Sequence, residues 1–261
     1  MATTGVKSMA IQGDASPDVL ALQELVEELR TRYRAAESRH SDELMQLSYA
    51  FSHDLREPLR VVNTYVQLLL ARCDGKLDHE EREFMGYIRE ATARMDRLLA
   101  DLISYAYQLR SVEKPVVPVD SETVLDGVLL SLEGEIRESR AEITHGSLSP
   151  AMLVFSDLEQ ILRQLLVNSI KFRSTSCPLI RVATTETADE TVFAVQDNGI
   201  GIDAVYHQEI FTPFRRLNGH EYPGSGIGLA ICNRILERYN GRIWVESKPG
   251  GGAIFRFTVP R

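Results

Sequence analysis

Between Leu44 and Leu109 the apolar residues fall into two runs spaced three and four apart, and this pattern limits the fold more than any other feature. The first run is Leu44, Leu47, Phe51, Leu55, Leu59, Val62, Val66 and Leu69, the spacing of one buried helix stripe. The second is Phe84, Ile88, Ala91, Met95, Leu98, Leu102, Tyr105 and Leu109, stepping alternately by four and three. Between them Asp74-Gly75-Lys76-Leu77 signals a turn, with Asp78 placed to cap the second helix. Two helices joined in this way cannot enclose a core. The hairpin either packs on the rest of its own chain or pairs with a second copy as a four-helix bundle, and the homodimeric bundle is the more economical expectation. Upstream, Leu22, Val26, Leu29, Tyr33 and Ala36 continue the three-and-four spacing as a coiled-coil lead-in, while residues 1–17 are small, polar and expected to be disordered. Pro58 removes one backbone donor and is expected to bend the first helix just after His53.

Pro115 and Pro118 close the helical region, so residues 18–111 read as the helical unit and 112–118 as a linker. Beyond them the texture becomes mixed. Val124–Ile136, Asp157–Phe172 and Gly226–Tyr239 read as helices; Ala141–Thr144, Met152–Phe155, Leu179–Thr184 and Thr191–Gln196 read as strands. Asp203 is placed to cap a short helix from Ala204 to Glu209, within a long irregular stretch. Arg242–Glu246 and Ala253–Val259 form a closing hairpin around Pro249-Gly250-Gly251-Gly252. Residues 119–261 are therefore expected to fold as an α/β sandwich.

A formal net charge of -8 argues against broad attraction to nucleic acid or anionic membrane. The three cysteines, Cys73, Cys177 and Cys232, have no paired metal-ligand spacing. No apolar run approaches the roughly 20 residues of a membrane span, and the N-terminus is not organised as a signal peptide, so a cytoplasmic protein without a transmembrane segment is expected.

Several residue groups bear chemistry. His53 lies about 200° round the helix from Phe51, so its imidazole faces away from the apolar stripe, with Asp54 beside it. Gln164, Asn168 and Lys171 share one helix face; that row is either a plain solvated face or a neutral oxygen for Mg²⁺ beside a cation for phosphate. In Asp197-Asn198-Gly199-Ile200-Gly201, Asn-Gly would ordinarily mark a hairpin, yet no returning strand follows before about Arg242. Asp197 instead ends a strand at a cleft mouth, where its carboxylate can accept from an exocyclic amine and Gly199 and Gly201 allow close approach to a flat ring. Ile210-Phe211-Thr212-Pro213-Phe214 is either a lid anchor or a core plug, and Arg215 and Arg216 reach either phosphate or water. Gly224-Ser225-Gly226-Ile227-Gly228-Leu229 enters a helix as an anion site. It lacks the Lys-Ser/Thr of a Walker loop and the third glycine of a dinucleotide fingerprint.

In order, these segments resemble the sensor histidine kinase core over about Asp42 to Pro260, and Glu57-Pro58, Val195-Gln196-Asp197 and Ile243-Trp244 are most similar to phytochrome-type kinase modules. The resemblance implies a dimerisation and phosphoacceptor hairpin followed by a Bergerat-fold ATP-binding domain. It implies that His53 accepts the phosphoryl group and that Asp54 orients it and takes its proton. Asn168 would hold Mg²⁺, Asp197 would read the adenine amine, and Gly199 and Gly201 would border the base. Lys171 and the amides of Gly226 and Gly228 would hold the phosphates of ATP, with Phe214, Arg215, Gly224 and Leu229 at the rim and Asn198 to Ser225 as the lid. Phosphoryl transfer rests on in-line positioning and charge neutralisation, and imidazole near neutral pH keeps a neutral fraction with a free lone pair. An aspartate on a response regulator receiver domain would then take the group.

Two positions depart from related patterns. Hydrolytic members of this ATP-binding fold (gyrase, mismatch-repair and chaperone ATPases) place Glu four residues before the metal-binding Asn, where it activates water. Here Gln164 is no useful base, so slow hydrolysis is expected. Where kinases that also dephosphorylate their partner carry Thr or Asn, four residues after the phosphoacceptor, this chain has Glu57, so weak phosphatase activity is expected. The competing reading is a pseudokinase, a dimeric nucleotide-binding scaffold without transfer. The segment before His53 is shorter than a typical sensor domain, so the input is expected from a separate sensory protein or from a longer sensor of which this is a part.

Overall fold

A computed structural model of the chain describes residues 17–73, 77–109, 115–217, 222 and 224–261, with side chains from residue 45 onward together with Glu28 and Arg32. Helix α1 spans Pro17–Arg72 and runs on through Pro58; helix α2 spans His79–Leu109. The lead-in side chains, Leu22 to Ala36, the turn 74–76 and most of the N-terminal segment lie outside the described residues. Asp78 caps α2 reciprocally with Glu81: Asp78 Oδ1 accepts from Glu81 N at 2.8 Å, and Glu81 Oε2 accepts from Asp78 N at 3.0 Å.

α1 and α2 pack together, but not through the whole of the expected stripe. Phe51 is 62% exposed, and Leu47, Leu55, Val62 and Leu69 are exposed with it; on α2, Phe84, Ile88 and Met95 are exposed. The seam buries Ser52 and Val66 on α1 and Thr92 and Leu99 on α2, with Leu59 and Asn63 half-buried. A three-and-four repeat generates two adjacent rows on a helix. One row here meets the hairpin partner, and the other is left open on the outside.

The second unit has two sheets. β1 (Val117–Val119) pairs antiparallel with β3 (Ala151–Leu153), so Val117 and Pro118, expected in the linker, are strand residues. The larger sheet has the order β2-β4-β5-β7-β6, from Glu142–His145, Leu179–Glu186, Glu190–Asp197, Ala253–Pro260 and Ile243–Ser247. β2 runs parallel to β4; the other pairs are antiparallel. Helices α3 (Ser121–Ser131), α4 (Glu133–Ser139), α5 (Phe155–Lys171) and α6 (Gly228–Arg238) complete the sandwich. Alternate residues of the central strands, Phe193, Val195, Phe255 and Phe257, join Leu158, Ile161, Leu162, Leu165, Ile231 and Ile235 in one core. Phe193 and Phe257 are register partners and stack at 4.7 Å.

Three expected elements differ. The helix 124–136 is two helices broken at Leu132, which stays fully buried with φ -103 and ψ 9, so the chain turns to keep it in the core. The strand at Met152 ends at Leu153, and Phe155 opens α5. The short helix after Asp203 is two 3-10 turns, Ala204–Tyr206 and Glu209–Phe211. Two ends of the helical layer are pinned together: Asp157 Oδ2, at the start of α5, accepts from Tyr239 Oη at 2.6 Å and from Arg238 Nη2 at 2.9 Å, at the end of α6. Burial and the Asp157 carboxylate push the Tyr239 phenol up to about 12.

Candidate active site

The site is built where the C-terminal half of α5 meets the start of α6. Apolar positions Leu158, Ile161, Leu162, Leu165 and Leu166 hold α5 against the sheet, which turns Gln164 and Asn168 outward in one row. Gln164 Nε2 donates to Asn168 Oδ1 at 3.4 Å. The glycine loop lies directly on this row: a Cβ at Gly228 would come within 2.1 Å of the Gln164 amide. Ser225 is buried, and its Oγ accepts from Ile227 N at 3.2 Å, which shapes the loop as it enters α6. Leu229 packs against the core behind it.

Lys171 closes α5. Its Nζ stands 4.2 Å from the Phe172 ring centre, with Gly224 of the loop against it. Burial, and then the Arg216 guanidinium, bring the ammonium pKa down to about 8. Arg216 Nη2 also donates to Tyr222 O at 2.9 Å, and the Tyr222 ring lies 5.0 Å from that of Phe172. Arg215 turns the other way and pairs with Glu209, while Phe214 is exposed with φ 63. The geometry therefore sets Arg216, not Arg215, beside Lys171.

Asp197 ends β5 at the mouth of this region. Its Oδ1 accepts from Gly199 N at 2.9 Å and Ala253 N at 3.1 Å, and its Oδ2 accepts from Ser169 Oγ at 3.2 Å. Burial raises its pKa, and these three donors oppose the rise. Ser169 follows Asn168 on α5, so one helix turn connects the carboxylate to the amide row. Gly201 has φ 72, and a Cβ there would meet Lys248 O at 2.0 Å, so no side chain fits. Asn198 ties the turn to the start of β4: its Oδ1 accepts from Leu179 N at 2.8 Å and its Nδ2 donates to Cys177 O at 3.0 Å. A separate open cavity of about 320 Å³, lined by Asp197 with Gln196, Glu246, Ser247, Lys248 and Ile254, lies toward the outer face of the sheet and includes none of Asn168, Lys171 or Gly228.

His53 is on a separate surface, with its side chain 69% exposed on α1. Its Nδ1 is 3.2 Å from Asp54 Oδ1. Neighbouring helix residues diverge by about 100°, yet the aspartate reaches sideways to the ring. A carboxylate only accepts, so this hydrogen bond requires the proton on Nδ1 and leaves the Nε2 lone pair outward in the neutral ring.

For a hydrated divalent cation, Asn168 Oδ1 is a suitable neutral ligand: its one long bond from Gln164 leaves a lone pair, and Mg²⁺ commonly takes few protein oxygens alongside phosphates and water. Among the described residues, no cluster of three His, Cys, Asp or Glu forms a separate metal site, and no helix is long and apolar enough to cross a membrane. The sequence pattern missed Ser169 and Tyr222 and did not choose between Arg215 and Arg216. Ser169 had a signal in its place next to Asn168, whereas Tyr222 had none.

Comparison with known proteins matches residues 43–108 to the His Kinase A (phospho-acceptor) domain. Residues 154–261 match the histidine kinase-, DNA gyrase B-, and HSP90-like ATPase family. The chain is 42% identical to cyanobacterial phytochrome A of Nostoc sp. strain PCC 7120, over 85% of this chain and 29% of that protein. It is 40% identical to the phytochrome-like protein Cph1 of Synechocystis sp. strain PCC 6803, over 90% of this chain and 31% of that protein. The chain thus spans about three tenths of the length of these curated relatives. Among solved structures, full-length ShkA in complex with AMPPNP aligns with a TM-score of 0.63 at 26% identity, covering 82% of this chain and 45% of that one.

Proposed function

We propose that this chain, which belongs to the sensor histidine kinases and carries their phosphoacceptor and ATPase domains, transfers the terminal phosphoryl group of ATP to His53. An aspartate of a separate response regulator is then the second acceptor. The observation that carries this reading is the pairing of an exposed, Asp54-oriented imidazole with a site where α5 and the start of α6 bring together a neutral amide oxygen, a cation and a helix N-terminus.

In this reading the adenine amine meets the Asp197 carboxylate, and the phosphates lie between Lys171, Arg216 and the amides at the start of α6. Asn168 would hold Mg²⁺, which neutralises phosphate charge when bound. The Nε2 lone pair of His53 attacks the terminal phosphorus as the bond to ADP breaks, and Asp54 holds the Nδ1 proton while positive charge develops on the ring. Gln164 offers no carboxylate to activate water, which favours transfer over hydrolysis. The outward rows on α1 and α2 pair with those of a second copy in a four-helix stem. Residues 18–111 form that stem, and the sheeted half binds ATP.

The test is incubation of the purified chain with labelled ATP and Mg²⁺. Label that is acid-labile, stable at high pH and absent from His53→Gln is the expected result. An unlabelled parent that releases phosphate is an ATPase, and one that binds nucleotide without either outcome is a scaffold. Both results refute the proposal.

A further inference from the structure

The polar row on α5 does not begin at the cleft. Gln160, Gln164 and Asn168 are spaced i, i+4 and i+8 and stack along one helix face. Gln164 abuts Gly228 and donates to Asn168. Gln160, one turn further back, faces the helical stem instead. Its Oε1 accepts from Gln108 Nε2 at 2.8 Å, and its Nε2 donates to Ser104 Oγ at 3.1 Å, both in the last turns of α2. In the same region α2 packs against α6, Ala106 is buried, and Tyr105 packs against the sandwich core. The stem therefore contacts both helices that border the site, α5 at Gln160, away from Asn168, and α6. From Gln160 to Asn168 is about 12 Å of helix rise.

This contact also leaves one polar atom unsatisfied. Gln108 is only 4% exposed, and its Oε1 is buried without a hydrogen-bond partner. A buried unpaired amide oxygen weakens the docked arrangement, whereas the paired amide nitrogen gives it direction. A seam with both properties orders the two walls while it is closed and can still open.

We propose that Gln108 and Gln160 are positioning residues for nucleotide binding. The stem, docked through them, pre-orders α5 and α6, so the cleft binds more tightly when the seam is closed. An ordering cost already met by docking is not met again by the ligand, and linkage makes the effect reciprocal. The inference rests on the reading above that an adenine nucleotide enters this cleft.

The experiment is calorimetric titration of the full chain with Mg²⁺–AMPPNP. Gln160→Leu strands both polar ends of Gln108 in the seam, and its affinity is expected to fall by about fivefold or more. Adding Gln108→Leu replaces the broken pair with two apolar side chains, which can be nearly neutral, and is expected to recover most of that loss. A merely structural role for Gln160 would lower and restore the melting temperature along with the affinity, whereas positioning moves the affinity at an unchanged melting temperature. Thermal unfolding of each variant checks that the sandwich remains folded. Equal affinities for parent and Gln160→Leu overturn the coupling, as does a double variant no tighter than the single one. A parent that binds no nucleotide overturns the functional reading itself, and the coupling with it.

Discussion

The ammonium of Lys171 lies under Gly224 and beside Arg216; its burial first, and then the Arg216 charge, favour the neutral amine. A phosphate in the same place favours the cation, so nucleotide binding takes up a proton wherever the unoccupied lysine has begun to lose one. With a pKa of about 8, affinity is expected to fall roughly three- to tenfold between pH 7 and pH 9. Lys171→Arg should flatten that profile, since a guanidinium keeps its charge. Calorimetry at a series of pH values reads both outcomes, and a pH-independent parent contradicts the assignment. The same shift acts on folding with a definite sign. Because the folded pKa is below 10.5, the unfolded chain binds more protons between about pH 8 and 10.5. The cost of burying the charged amine is therefore complete below that window and is relieved as pH rises through it. At this scale the sequence was readable on helices and strands but not in the loop. Asn168, Lys171 and Asp197 could be placed because element periodicity sets side-chain direction. Arg215 and Arg216 could not be told apart, since an irregular backbone gives neighbouring residues no fixed bearing.

At the scale of elements, the cleft depends on how closely α6 can begin against α5. Gly228→Ala would bring a methyl group onto the Gln164 amide. That amide is the far end of a flexible side chain, so it can swing aside and the fold survives. In doing so it leaves Asn168. The expected result is a melting temperature within a few degrees of the parent and an affinity for Mg²⁺–AMPPNP lower by about tenfold. Gly134→Ala, on α4 where nothing meets an added Cβ, is the control and should leave binding unchanged. An unaffected Gly228→Ala protein would show that Gln164 is not needed there. The pattern of elements was largely legible: α1, α2, α5, α6 and the strands from β4 onward follow their periodicities. β1 was not, because Pro118 argues against a strand, although at this short pairing it is accommodated. At the break itself Leu132 is neither Gly nor Pro, and Gly134, two residues on, is a weak signal; the demand that Leu132 stay in the core makes the break.

For the whole molecule, the open question in the sequence was which apolar row faces which partner. Spacing shows that a helix has an apolar side, not whether that side meets its hairpin mate or another copy. The structure separates the two rows, and the outward one predicts the assembly. Replacing Leu69 and Ile88, both exposed, with Glu should convert a dimer to a monomer by sedimentation while the ATP-binding half still melts cooperatively. A variant that stays dimeric would place the interface elsewhere. One further property follows from α1 being unbroken over 56 residues. Such a rod is about 84 Å long, and each residue added to it advances the azimuth of everything beyond by about 100°. A twist imposed on the rod therefore turns His53 about the helix axis, and under the proposed function it would change the bearing of the ring toward the phosphate it receives.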